Sequence, residues 1–101
     1  HDQNMVQVLG RKSAEERLAA LMVNFSERYR HRGFSPTEFN LSMSRNDIAS
    51  YLGLAVETVS RIFSRFQKKG LLDVQRRQIS ILDLDALRAI AVGNDNDSQA
   101  K

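Results

Sequence analysis

Apolar residues recur along this chain at helical spacing, then in alternation, then at helical spacing again. Leu18, Leu21, Met22, Phe25 and Tyr29 fall three or four residues apart, the stripe of one helix face. Ser13 and Glu16 stand just ahead of that stripe as a capping box, so the pattern predicts a helix from about residue 14 that ends near Gly33. Ser35-Pro36 marks a turn. Phe39, Leu41 and Met43 then alternate with Asn40 and Ser42, which predicts a short strand with one buried face.

The next stretch, residues 44–70, predicts two short helices around a tight turn. Ser44 is a good N-cap, with Asp47 in the first turn where a negative charge suits the dipole. Ile48, Tyr51 and Leu52 give this helix its apolar face, and Gly53 supplies the turn. The second helix runs from about Val56 to Lys69, and Gly70 fits the residue just past its end. Val59, Ile62, Phe63 and Phe66 share one stripe, while Glu57, Ser60, Arg61, Ser64 and Lys68 share another. At about 100° per residue the two stripes lie roughly half a turn apart. Leu71, Leu72 and Val74, the polar tip Gln75-Arg76-Arg77-Gln78, and Ile79 and Ile81 predict a hairpin of unspecified turn type. Asp83 caps a short last helix with Leu84, Leu87 and Ile90.

This order predicts an α+β domain, mainly α, with the architecture of a winged helix-turn-helix. Residues 1–10 read as the end of an upstream helix and a hinge, 11–92 as the domain, and 93–101 as a flexible polar tail. The start at His1 suggests a C-terminal piece of a longer protein.

The polar stripe of the second helix holds carboxylate, hydroxyl, guanidinium and ammonium groups in a row. Arg carries a planar fork that matches guanine O6 and N7, and Glu accepts from the cytosine N4 amino group. Both edges lie open only in the major groove of DNA. Glu57 and Arg61 are i, i+4, so Glu57 is expected to steady Arg61 while reading a base of its own. Ser44, Arg45, Thr58, Arg65, Lys68 and the wing pair Arg76 and Arg77 are candidates for phosphate contacts, which set register and affinity.

Charge fits a polyanion partner or, equally, an ordinary solvated surface. The formal net charge is +3, but residues 45–77 carry seven Lys or Arg against Asp47, Glu57 and Asp73. The absence of cysteine removes disulfides and thiolate-ligated metals from this chain, so no cofactor or metal site is expected in it. No apolar run approaches the ~18 residues of a membrane span. With two His, at 1 and 31, and no zinc-protease, phosphate-loop or triad pattern, catalytic residues are not expected. A winged helix that binds protein is the alternative, and it would require exposed apolar anchors on the outer face of residues 57–68.

The run from Ser13 to Leu87, about three-quarters of the chain, resembles the C-terminal domain of the CRP/FNR regulators. The matching pieces are AEERLAAL at 14–21, RGFSPTEFNLSMSR at 32–45, YLGLAVETVSR at 51–61 and RFQKKGLL at 65–72. Val56 and Ser60 resemble the fumarate–nitrate-reduction branch, where the cyclic-AMP-receptor branch typically has Arg and Gly. The resemblance implies that the second helix enters the major groove and that Glu57, Ser60 and Arg61 read bases. It also implies TTGAT-like half-sites, a homodimer whose long helix would end in residues 1–9, and a bacterial, cytoplasmic activator of transcription. An iron–sulfur cluster would belong to a sensor domain of a parent protein. In related regulators a loop at the place of residues 30–37 can touch the RNA polymerase alpha subunit, which makes Arg32, Ser35 and Thr37 candidates for that contact, with a plain connecting loop as the alternative.

Overall fold

The first helix, α1 (Ala14–His31), begins where its cap is written. Ser13 Oγ accepts from the Glu16 N–H at 3.2 Å, and the Glu16 carboxylate accepts from the Ser13 N–H at 2.9 Å. The computed structural model describes residues 12–93. The expected helix end and hinge at 1–10, and all but the first residue of the expected tail at 93–101, lie outside the described residues.

After α1 come β1 (Glu38–Asn40), α2 (Arg45–Leu52), α3 (Val56–Lys68), β2 (Leu72–Gln75), β3 (Gln78–Ile81) and α4 (Leu84–Ala91). The strands form an antiparallel sheet in the order β1-β3-β2. Among the described residues this is the expected winged helix-turn-helix: a helix pair followed by a hairpin, with a short strand ahead of them closing the sheet.

Each helix buries most of the stripe that its spacing assigned, with Phe25, Tyr29, Tyr51 and Leu84 only partly buried at its edge. Leu18, Leu21 and Met22 of α1, Ile48 and Leu52 of α2, Val59, Ile62, Phe63 and Phe66 of α3, and Leu87 and Ile90 of α4 join Leu72 and Ile79 of the hairpin in one core. Phe66, Leu18, Ile48, Leu52 and Val59 are wholly shielded from solvent. Burying side chains of this size stabilises the fold by about 1.5–3 kcal/mol each, before the cost of ordering the chain. Gly53 ends α2 at φ 72°, the left-handed state that lets α3 leave at a sharp angle.

Two elements differ from expectation. The strand predicted over 39–43 is shorter, because its partner runs out: Asn40 pairs with Gln78, the first residue of β3. The Leu41 N–H then donates to the Arg77 carbonyl at 2.7 Å, and the chain leaves the sheet with Leu41 still buried. The wing turn, left open by the sequence, is two residues long, since Gln75 pairs with Gln78. Arg76 occupies it at φ 60°, the one positive value at a non-glycine among the described residues.

Candidate nucleic-acid interface

Helix α3 is the element that the two-stripe pattern singles out, and its faces separate as expected. Val59, Ile62, Phe63 and Phe66 are buried, whereas Glu57, Ser60, Arg61, Ser64 and Lys68 are all exposed. The apolar stripe fastens the helix to α2, α1 and β2, so the polar stripe is held outward on a rigid support. No apolar or aromatic side chain interrupts that outer row. It lacks the anchors that a protein-binding winged helix requires.

The expected Glu57–Arg61 pair does not form. The Arg61 guanidinium turns toward Thr58, with Nη2 3.5 Å from Thr58 Oγ1, and Glu57 stands exposed without an ion pair among the described residues. Spacing of i, i+4 permits the pair, but on an exposed face each side chain gains about as much from water. Both charged groups are therefore open to a ligand.

The start of α3 is open as well. Its N-cap is Ala55, which has no side-chain acceptor to satisfy the first-turn N–H groups. Those N–H groups and the dipole favour an anion there, with Thr58 beside them.

The other cationic candidates differ in how far they are already engaged. Lys68 is exposed and enters no ion pair among the described residues. Arg76 and Arg77 stand exposed at the wing tip. Arg65 is paired with Glu15 at the start of α1, and Lys69 Nζ lies 3.9 Å from the same carboxylate. Ser44 Oγ accepts from the Asp47 N–H at 3.0 Å, and Asp47 Oδ2 accepts from the Ser44 N–H at 3.2 Å, so the hydroxyl caps α2. Arg45 lies with its guanidinium carbon 4.3 Å from the centroid of the Phe63 ring and donates to the Arg76 carbonyl at 3.1 Å. Partial burial, and then the positive charge of Arg77, bring its pKa below the ordinary guanidinium value.

A second surface surrounds the turn after α1. Arg32 is exposed and ends the helix. Ser35 Oγ accepts from the N–H groups of Thr37 and Glu38 at 3.2 and 3.1 Å, and the Thr37 carbonyl accepts from the Ile81 N–H at 2.7 Å. The loop is thus pinned to the sheet. Sequence reasoning missed Phe34, which is 61% exposed here with its ring edge-on to Tyr29 at 6.2 Å. Tyr29 in turn stacks on Phe39 at 5.0 Å. A lone aromatic between Gly and Ser in a turn was the available signal.

Among the described residues no group of three or more His, Cys, Asp or Glu could hold a metal ion. With no cysteine in the chain, an iron–sulfur cluster has no thiolate ligands here. No helix among the described residues is long and apolar enough to cross a membrane.

A family model described as a Crp-like helix-turn-helix domain matches residues 16–90. The chain is 56% identical over 90 residues to the fumarate and nitrate reduction regulatory protein of Salmonella typhimurium, covering 89% of this chain and 36% of that protein. It is 53% identical over 92 residues to the transcriptional activator protein anr of Pseudomonas aeruginosa, covering 91% of this chain and 38% of that protein. Among solved structures, FixK2 from Bradyrhizobium japonicum superposes with a TM-score of 0.75 at 35% identity, covering 87% of this chain and 43% of that one. The chain spans little more than a third of the length of the curated relatives it matches.

Proposed function

This chain belongs to the Crp-like helix-turn-helix domains of the CRP/FNR regulators, and from that premise we propose that it reads TTGAT-like half-sites in double-stranded DNA with α3 in the major groove. Its relatives are regulators of transcription, not enzymes. The observation that carries the reading is the outer face of α3, where Glu57, Ser60 and Arg61 are exposed together and, among the described residues, free of ion pairs. Arg61 takes guanine O6 and N7, Glu57 accepts from a cytosine amino group, and Ser60 bonds a neighbouring base edge. Thr58 and the open first turn of α3, Lys68, Arg76 and Arg77 contact phosphates. Ser44 does so only through what its cap leaves free. Arg65 must exchange the Glu15 carboxylate for a phosphate.

The full protein acts as a homodimer on a two-fold symmetric site, each protomer reading one half. Loss of the second half-site removes much of the affinity, because the second contact is then no longer intramolecular. The pinned loop carrying Arg32, Ser35 and Thr37, with exposed Phe34 among them, offers a further contact to the RNA polymerase alpha subunit. Sensing, through an iron–sulfur cluster or otherwise, belongs to a part of the parent protein outside these residues.

Fluorescence anisotropy tests the central reading. Three duplexes are compared over several salt concentrations: a two-fold TTGAT site, the same site with its G·C pairs changed, and a scramble. The intact site should bind tightest. Arg61→Ala should abolish that preference and leave the salt-dependent background. Equal binding of all three duplexes by the native chain would overturn the assignment of α3 as the reading element.

A further inference from the structure

We propose that Arg45 is a positioning residue that braces the wing against α2 and α3, rather than a group that grips phosphate itself. The inference rests on the DNA-binding reading above and assigns Arg45 a part within it.

The wing turn is poorly specified by its own residues. Two-residue hairpin turns favour Asn or Gly because the backbone must enter the left-handed region, and this turn is Arg76-Arg77 with Arg76 at φ 60°. Such a turn persists where its surroundings hold it. Two ties from outside the hairpin reach its two carbonyl oxygens. The Leu41 N–H donates to the Arg77 carbonyl at 2.7 Å, and Arg45 Nη2 donates to the Arg76 carbonyl at 3.1 Å. The first tie is backbone and independent of side-chain identity. The second depends wholly on Arg45.

Arg45 is itself held in place. Its guanidinium carbon lies 4.3 Å from the centroid of the Phe63 ring, and that ring is 3% exposed within the core. One side chain at the start of α2 therefore touches the reading helix and the wing together. A lysine at this place keeps the charge but loses the planar group that stacks and donates at once. Arg45 has no carboxylate partner among the described residues, while the positive Arg77 stands near enough to lower its pKa. The carbonyl bond and the ring thus oppose a repulsion, and they hold the wing cations beside the helix pair before DNA arrives. Pre-placing them reduces the ordering cost of binding.

Two measurements test this on the full chain: amide hydrogen exchange without DNA, and anisotropy with the two-fold TTGAT duplex. Arg45→Ala should speed exchange at residues 75–78 several-fold and leave the α1 and α4 core amides unchanged. It should weaken binding in the native background, yet weaken it little further in the double variant Arg76→Ala/Arg77→Ala, because that background has already lost both wing cations. Arg45→Lys should keep the salt slope and still lose wing protection. Phe63→Leu, which removes the ring but keeps an apolar side chain, should loosen the wing as well. Unchanged exchange at 75–78 in Arg45→Ala would overturn the proposal, and so would additive losses with Arg76→Ala/Arg77→Ala, the mark of a separate phosphate contact. If the native chain bound no duplex while exchange still rose in Arg45→Ala, the brace would stand and the DNA reading alone would fall.

Discussion

The Glu15 carboxylate, in the first turn of α1, pairs with the Arg65 guanidinium in the last turn of α3. The two residues line a depression on the flank of α3 together with Thr58, Arg61 and Lys69. If these cations meet DNA as proposed, an acidic group there competes with phosphate for them. Both partners are partly exposed, so the pair contributes little to stability, on the order of 0.2–1 kcal/mol. Glu15→Gln is expected to raise affinity for scrambled duplex by roughly 2- to 5-fold, with a smaller gain on the specific site. Titration of both duplexes at low salt checks it. An equal gain on both would show that Glu15 sets affinity without sharpening selectivity.

Lys68 is exposed at the end of α3, on the same stripe as the proposed base readers. A phosphate contact carries no sequence information, so Lys68→Ala should weaken every duplex by a similar factor. The slope of log affinity against log salt should become shallower by about 1. Loss confined to the intact site would instead make Lys68 a reader of sequence.

The Ser44 cap orients the first helix of the pair. Ser44→Ala removes the acceptor for the Asp47 N–H and should cost about 1 kcal/mol. In a domain of this size that lowers the melting temperature by roughly 4–8 °C. Ser44→Gly should cost only a few tenths of a kcal/mol. A melt that separates alanine from glycine would confirm that the hydroxyl acts on the helix.

Glu27 ties α1 to α4 by holding two guanidinium groups, Arg30 and Arg88, each at 2.5 Å. Their hydrogen bonds, Arg30 first and Arg88 second, hold its pKa below the ordinary 4.5. A depressed carboxylate pKa stabilises the fold above the unfolded value and loses that contribution as pH falls through the folded one. Glu27→Gln should therefore melt lower than the native chain near neutrality and converge with it as the pH falls through the lowered Glu27 value. Parallel melting curves across that range would show that the double ion pair has no net effect.

Ser26 is buried in α1 with its hydroxyl unpaired among the described residues. A buried hydroxyl without a partner forfeits its hydration. Ser26→Ala should raise stability by up to about 1 kcal/mol, read as a higher midpoint in urea with the same slope. A lower midpoint would mean that the hydroxyl is bonded in solution.

Much of this was legible in the sequence, for a local reason. A helix joins residues three and four apart, so the stripe on α3 and the caps at Ser13, Ser44 and Asp83 are written in adjacent turns. Gly53 marked the sharp turn because few other residues enter its backbone state cheaply. The alternation that suggested a strand to Met43 was real as a burial pattern, yet a strand lasts only as long as its partner, and β3 begins opposite Asn40.

What the tertiary structure decided lies in long charged side chains. Thirty-one positions separate Arg45 from the carbonyl it bonds, and fifty separate Arg65 from Glu15. Both arginines read alike in the sequence, as cations available to phosphate. One became a brace on a ring, and the other a partner of an acid on the first helix. Periodicity fixes which way a side chain leaves its helix, and so it determined the core, the outer face of α3 and the fold. Where a long flexible arm comes to rest depends on which distant donor, acceptor or ring the packed elements bring within reach, and that emerges only once the chain has folded.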